Sequence, residues 1–495
     1  MIQTSSTFRR DGLDDGSISL SEVISALSFA LDLTEGAVHG HALRSCLLGM
    51  RIAEEAQLPF NLRSSLYYAL LLKDVGCSSN ASRLCEIVGG DDRAMKAGVK
   101  YEDWTKPHKP SLSTLRLLWN NVLPEAGPGA KMARIIRIGA TQHRNNEEMI
   151  TLRCDRGASI VTKLGMGKIA AQAVRSLDEH WDGSGYPERA KGAQIPLLSR
   201  ICAIAQHLDV FFTGRGAEAA IQTLKRRTGT WFDPELVKAA LSLHRRGALW
   251  ANCSMIEDLD ETRRVALDLD PARRKHLDAN QIDLICEAFA EVVDAKSHFT
   301  FCHSMGVADA ALAIAQHIGL REERVQLVRR AALLHDIGKL SVSNSILDKQ
   351  GKLTQQEWKA VYQHPVHTRR ILERVGPLRE IAVVAGEHHE KLDGTGYPDR
   401  LTARDLSLES RIIAVADVYG SLSEDRPYRA GLTLDQIVVI MRELTPQKLD
   451  LDCFEVLLSV VSQQREGMSL SSIQAEAEAA ALAEAYSIGP AEWTV

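Results

Sequence analysis

Aromatic residues are scarce in this chain, only 5% of 495 residues, and the nine cysteines include no CxxC pair and no framework spacing. An odd, scattered set of cysteines argues against a secreted disulfide scaffold and for a reduced, cytoplasmic setting. No apolar run approaches the roughly 20 residues that a bilayer-spanning helix needs. The N-terminal stretch MIQTSSTFRRDGLDDGS lacks the apolar centre of a signal peptide. Charge of one sign is not in excess either: 59 Lys and Arg stand against 64 Asp and Glu, a net of -5. That balance supplies no electrostatic reason to expect nucleic acid or an anionic membrane as partner. Period-two alternation is rare as well, so the chain is expected to be all-α.

Helical patterns fill the chain from Ser19 onward. In SLSEVISALSFALDL the apolar residues recur at helical spacing, with Ser19 and Glu22 placed to cap the start. The length exceeds one ordinary core, and an internal repeat shows how it is divided. LDEHWDGSGYP at 177–187 aligns with HHEKLDGTGYP at 388–398. SRICAIAQHLD from Ser199 aligns with SRIIAVADVYG from Ser410, LYYALLLKDVG from Leu66 with VRRAALLHDIG from Val328, and GHALR from Gly40 with CHSMG from Cys302. The period is too long for a solenoid. Two helical bundle domains in tandem are therefore expected: a tail over 1–18, a first copy over 19–246, a linker over 247–279, a second copy over 280–464 and a tail over 465–495.

Chemistry concentrates in the second copy. Adjacent imidazoles at His388 and His389 gain little from packing but make sense as ligands to a divalent transition metal. The glycine-rich turn after them, Gly394 to Pro398, is a place where a phosphate or base could approach the main chain. His303 opens one helix, and His335 and Asp336 lie in the helical stretch RRAALLHDIGKL with Lys339 on the same side. His364 begins HPVHTRRIL, and Asp417 interrupts the apolar RIIAVADVYG. A buried unpaired Asp in such a helix would cost several kcal/mol, an objection a metal removes. Five histidines and two aspartates form a mixed nitrogen and oxygen set suited to Fe, Mn or Zn and poorly suited to Ca. Such a set can hold two ions sharing an aspartate, and metal pairs activate water and stabilise charge developing on phosphorus.

LLHDIGK resembles the signature of the HD superfamily of metal-dependent phosphohydrolases. HHEKLDGTGYP, followed by AD and then DRPYR, resembles its HD-GYP branch, over about 294–432. The resemblance implies tandem HD-type bundles and metal-dependent hydrolysis of a cyclic dinucleotide, chiefly cyclic di-GMP, in bacterial signalling. It implies His303, His335, Asp336, His364, His388, His389 and Asp417 as ligands of two divalent metals, Fe or Mn, with Asp336 bridging. Lys339 would then reach a non-bridging phosphate oxygen. Thr300, Tyr397, Arg426 and Arg429 would contact substrate, an arginine beside a phosphate being apt for bidentate bonding. Phe299 stands where relatives with a third metal carry Glu, so two metals are expected. Arg400, Leu406 and Ser407 also depart from the family pattern and bear on loop geometry.

The first copy has lost the ligand set. Lys73 replaces His335, Cys77 replaces Lys339, Arg153 matches His364, Leu177 and Asp178 match the histidine pair, and Gln206 replaces Asp417. Only His41 and Asp74 survive, so this copy should neither bind the metal pair nor catalyse. It is a candidate for regulation, dimerisation or docking of a signalling protein. Two rival readings stand beside the enzyme: a scaffold that senses a nucleotide or binds a protein without turnover, and a phosphohydrolase acting on another phosphoester.

Overall fold

A computed structural model describes residues 18–103, 111–251, 253, 258–272, 276–297, 302–425 and 429–464. The described residues form helices and turns with no strand, only isolated bridges such as Ser19 with His276. As the sequence predicts, Ser19 caps the first helix, Leu20–Thr34, in a reciprocal capping box with Glu22.

The repeat is a repeat in space. The first copy runs through His41–Glu55 and Phe60–Leu72 to a tight turn at Cys77–Asn80, and later through Leu197–Arg226. The second runs through His303–Ile318 and Glu322–Leu334 to a matching turn at Ile337–Ser341, and later through Leu408–Ser423. One glycine in each turn explains the match. A Cβ on Gly338 would lie 1.9 Å from the carbonyl oxygen of His364, and one on Gly76 would lie 2.0 Å from that of Arg153. The copies therefore share a backbone crossing that only glycine permits, and Arg153 sits where His364 does. An acid is repeated too. Asp32 accepts the amides of Gly40 and Ala42, and Asp294 accepts the amide and hydroxyl of Ser304. Each thereby caps the helix that carries His41 or His303.

Between its Asp92–Val99 helix and its Gly-Tyr-Pro turn, the first copy carries an insertion. It comprises the helix Leu112–Asn121 and the first part of the 36-residue helix Pro128–Lys163, whose later part carries Arg153. Val88, Met95 and Val122 form a small separate core beneath it. Elsewhere the buried apolar residues of both copies make one continuous core. Within the region expected as a linker, Leu259–Asp268 is a helix whose Arg263 donates to Ser25 Oγ and to the Glu22 carbonyl.

The contact between copies is specific as well as apolar. Asp92 of the first copy accepts the Ser343 hydroxyl at 2.9 Å and the Asn344 amide at 2.8 Å, and Arg93 donates to the Ser341 carbonyl. Lys163 pairs with Glu291 at 2.6 Å, and Arg374 lies over the Phe29 ring. The first copy thus grips the turn that follows Asp336.

Candidate metal centre

The sequence expectation places His335 and Asp336 inside a helix. In the structure the helix stops at Leu334, His335 closes it, and Asp336 leads into the tight turn Ile337–Ser341. The close crossing at Gly338 is the physical reason, because the chain must turn there to pass the His364 carbonyl. Thr368, fully buried, ties the crossing: its hydroxyl donates to the His335 carbonyl at 2.7 Å and accepts the Gly338 amide at 3.0 Å.

Around this turn seven side chains converge, all buried: His303, His335, Asp336, His364, His388, His389 and Asp417. They come from the starts of His303–Ile318 and His364–Leu372, the turn, the segment after Arg379–Gly386, and the middle of Leu408–Ser423. Asp336 lies between two groups. Its Oδ2 is 3.2 Å from His335 Nε2 and 3.7 Å from His303 Nε2, while its Oδ1 is 3.3 Å from His364 Nε2 and 3.7 Å from His388 Nε2. Asp417 Oδ1 is 3.3 Å from His303 Nε2, and its Oδ2 is 3.6 Å from His389 Nδ1. Lys339 Nζ stands 2.7 Å from Asp336 Oδ2.

Orientation separates this cluster from ordinary packed histidines. The Nδ1 atoms of His335, His364 and His388 face the carbonyls of Ala332, Val361 and Ala385 at 2.6–2.7 Å. A carbonyl only accepts, so each Nδ1 must carry a proton, which leaves Nε2 as the inward ring nitrogen that can ligate. His303 Nδ1 faces Glu424 Oε2 at 2.8 Å, a carboxylate contact of the kind that orients a ligating imidazole. Within the centre, His335 Nε2, Asp336 Oδ1, both ring nitrogens of His389 and Asp417 Oδ2 are buried without hydrogen-bond partners. Orphaned buried polar atoms are costly, and a bound cation satisfies them together. Burial pushes His388 down to about 3 and holds His364 and His389 below the usual imidazole range. Burial alone would raise Asp336, but His335 and Lys339 outweigh it and hold the carboxyl well below its usual range. Burial would lower His335, but Asp336 outweighs it and raises that imidazole; the neutral imidazoles of His364, His388 and His389 beside ionised carboxylates are a donor set for a metal.

The other residues expected in the site are placed unevenly. The Tyr397 ring packs 4.7 Å from that of His389 and 4.4 Å from that of Tyr362. The Arg429 guanidinium donates to the carbonyls of Ser421, Leu422 and Ala430, where the helix carrying Asp417 ends. Thr300, Arg426 and Phe299 lie outside the described residues. The glycine-rich turn has a structural demand of its own. A Cβ on Gly396 would lie 2.5 Å from Glu390 Cα, and one on Gly185 would lie 2.6 Å from Glu179 Cα. In both copies this glycine lets the turn fold back on the segment bearing the histidine pair or its replacement.

Glu390 and Glu424 were not singled out in the sequence. Glu390 accepts the amides of Asp399, Arg400 and Leu401, and Glu179 accepts those of Glu188 and Ala190 in the first copy. The signal was present, because Glu390 and Glu179 align in the repeat. Glu424 has no aligned carboxylate to betray it, and only the fold brings it to His303.

In the first copy the equivalent place is filled by charge pairs. Lys73 contacts Asp74, Arg153 contacts Asp178, and Glu35 pairs with Lys100 at 2.9 Å and Lys96 at 3.5 Å. Glu35, Asp74 and Cys77 lie close enough together to hold a metal. Three lysines already neutralise those acids, and burial pushes the Cys77 thiol far above its usual range. A cation has no vacancy of charge to fill there.

This chain belongs to the HD domain family, whose model matches residues 130–236 and 282–452, one segment in each copy. The second copy bears the HD-GYP signature. Among its relatives is a 3'3'-cGAMP-specific phosphodiesterase of Vibrio cholerae, 40% identical over 439 residues, which are 88% of this chain and 94% of that one. A crystal structure of a cyclic GMP-AMP specific phosphodiesterase from V. cholerae superposes with a TM-score of 0.61 at 36% identity, covering 92% of this chain and all of the other. A cyclic di-GMP phosphodiesterase response regulator of Xanthomonas campestris is 38% identical over 152 residues, 29% of this chain and 39% of that one.

Proposed function

We propose that the second copy is a metal-dependent phosphodiesterase that hydrolyses a cyclic dinucleotide. The observation that carries the reading is the set of inward-facing, partnerless donor atoms around Asp336. His303, His335 and Asp417 would hold one metal and His364, His388 and His389 a second, with Asp336 shared because its two oxygens face different groups. When bound, such a metal pair supplies a water acidic enough to attack phosphorus and positive charge for the phosphoryl oxygens. Fe or Mn suits the nitrogen-rich set.

The chain's own residues do the rest. The carbonyl-bound Nδ1 atoms hold the imidazoles rigid, so little reorganisation is needed when phosphate arrives. Lys339, on the turn beside Asp336, would offer its ammonium to a non-bridging oxygen. Tyr397, against His389, would line the substrate's approach, and Thr300, Arg426 and Arg429 remain candidates for substrate contact. The near full-length match to a 3'3'-cGAMP-specific enzyme supports that substrate over cyclic di-GMP, the one expected from the motifs, whose enzymes match about a third of the chain. The first copy, 19–246, would be non-catalytic and would act on the second through the shared core and the turn at 337–344.

The test is turnover of both dinucleotides by purified protein loaded with Fe or Mn. Linear product from 3'3'-cGAMP at a higher kcat/KM than from cyclic di-GMP is expected. Bound metal with no hydrolysis of either would favour a sensing scaffold and overturn the enzyme reading.

A further inference from the structure

The first copy has replaced the candidate metal ligands with charge pairs, and open space remains beside them. A cavity of about 340 Å³ lies over the vestigial centre. Asp74, Arg153, Asp178 and Gln206 line it, and these occupy the positions of Asp336, His364, His389 and Asp417. The cavity is thus the counterpart of the second copy's catalytic centre, and it falls within the size range of ligand pockets.

Its wall shows what it would take. Leu84, Val88, Met95, Val99, Leu117 and Leu118 supply an aliphatic side, contributed largely by the insertion and the helices beneath it. The charged groups at its floor are already paired: Asp74 with Lys73, Arg153 with Asp178, and Glu35 with Lys96 and Lys100. A charged ligand would find no unmatched counter-ion at that floor and would pay for its own desolvation, and Glu102, also on the wall, already accepts the hydroxyls of Ser111 and Thr114.

We propose that this cavity binds an uncharged, mainly aliphatic small molecule. The site is wired to the second copy. Met95, Lys96 and Val99 of the helix Asp92–Val99 line the cavity, and the start of the same helix holds the catalytic copy through Asp92 and Arg93. Their partners, Ser341, Ser343 and Asn344, directly follow Lys339 in the chain. A ligand that orders this helix therefore steadies the turn carrying Asp336 and Lys339.

The experiment uses the full chain and three probes with one tail: 1-octanol, octanoate and octylammonium. Binding is read by calorimetry and melting temperature, and coupling by hydrogen exchange over 337–344. None of these readouts depends on what the second copy hydrolyses. Octanol is expected to bind at least tenfold more tightly than either ion and to slow exchange over 337–344. Val99→Trp, which fills the cavity, should abolish binding. Equal binding of octanoate, no binding of octanol, or octanol binding unaffected by Val99→Trp would overturn the site. Octanol binding with unchanged exchange over 337–344 would overturn the coupling.

Discussion

Gly338→Ala is the sharpest test of how the fold builds the metal centre. Gly338 has ordinary backbone angles, so the added methyl brings no dihedral strain and its effect is purely one of contact. The new Cβ would lie 1.9 Å from the His364 carbonyl oxygen, 2.8 Å from its carbon and 2.8 Å from the Thr368 amide nitrogen. These are backbone atoms at the start of a helix, so no side chain can swing aside. Relief requires the helix His364–Leu372 and the turn to separate by about 1 Å, and misplacement of that size commonly costs about 100-fold in rate. His364 Nε2 is only 3.3 Å from Asp336 Oδ1, and metal–ligand distances tolerate roughly ±0.2 Å. Overpacking should also destabilise the fold by about 1–3 kcal/mol. The duplicated copy supplies the control, because Gly76→Ala meets the Arg153 carbonyl at 2.0 Å with no candidate metal behind it. Both variants should melt earlier than the parent. Only Gly338→Ala should lose metal, measured per chain by elemental analysis, and turnover by about 100-fold or more. A Gly338→Ala protein with full metal content and parental turnover would refute the account of the centre.

Three further outcomes follow from the same geometry. Asp336→Ala should reduce bound metal and abolish turnover, and it should expose Lys339 to the 3–5 kcal/mol penalty typical of a buried charge stripped of its partner; retained metal and activity would show the site is misassigned. Burial raises the Asp32 carboxyl to about 7, only partly opposed by Lys73. The folded state therefore holds a proton that the unfolded state gives up near pH 4, so this contribution to stability is complete below about pH 4 and is lost as pH rises towards 7. Asp32→Asn should flatten that part of the pH–stability curve, measured by urea unfolding from pH 4 to 8, and an unchanged slope would sink the assignment. A fragment from Asn280 onward should be poorly soluble or melt well below the full chain, because it exposes the core shared with the first copy and strips Ser343 and Asn344 of Asp92. A stable, fully active fragment would show that the first copy is dispensable.

Much of this protein is legible along the chain. The helical period, the Ser19 cap, the duplication and all seven converging side chains follow from residue type and spacing, since helices report their buried face every three or four residues. The loss of the centre from the first copy is legible too, because Lys73 and Arg153 replace imidazoles at aligned positions. Local pattern could not reveal features that depend on atoms distant in sequence. Glu424 reaches His303 across 121 positions, and Asp92 reaches Ser343 across 251. Gly338 reads as an ordinary glycine until the His364 carbonyl is placed against it, and only then does the break after Leu334 have a cause. The Gly-Tyr-Pro turn reads as a place for a ligand, yet Gly396 is required by the chain folding on itself. The two copies differ most in their space, and space is a property of packing. Sequence determined which copy kept the candidate ligands; tertiary structure alone decided that the other kept a cavity.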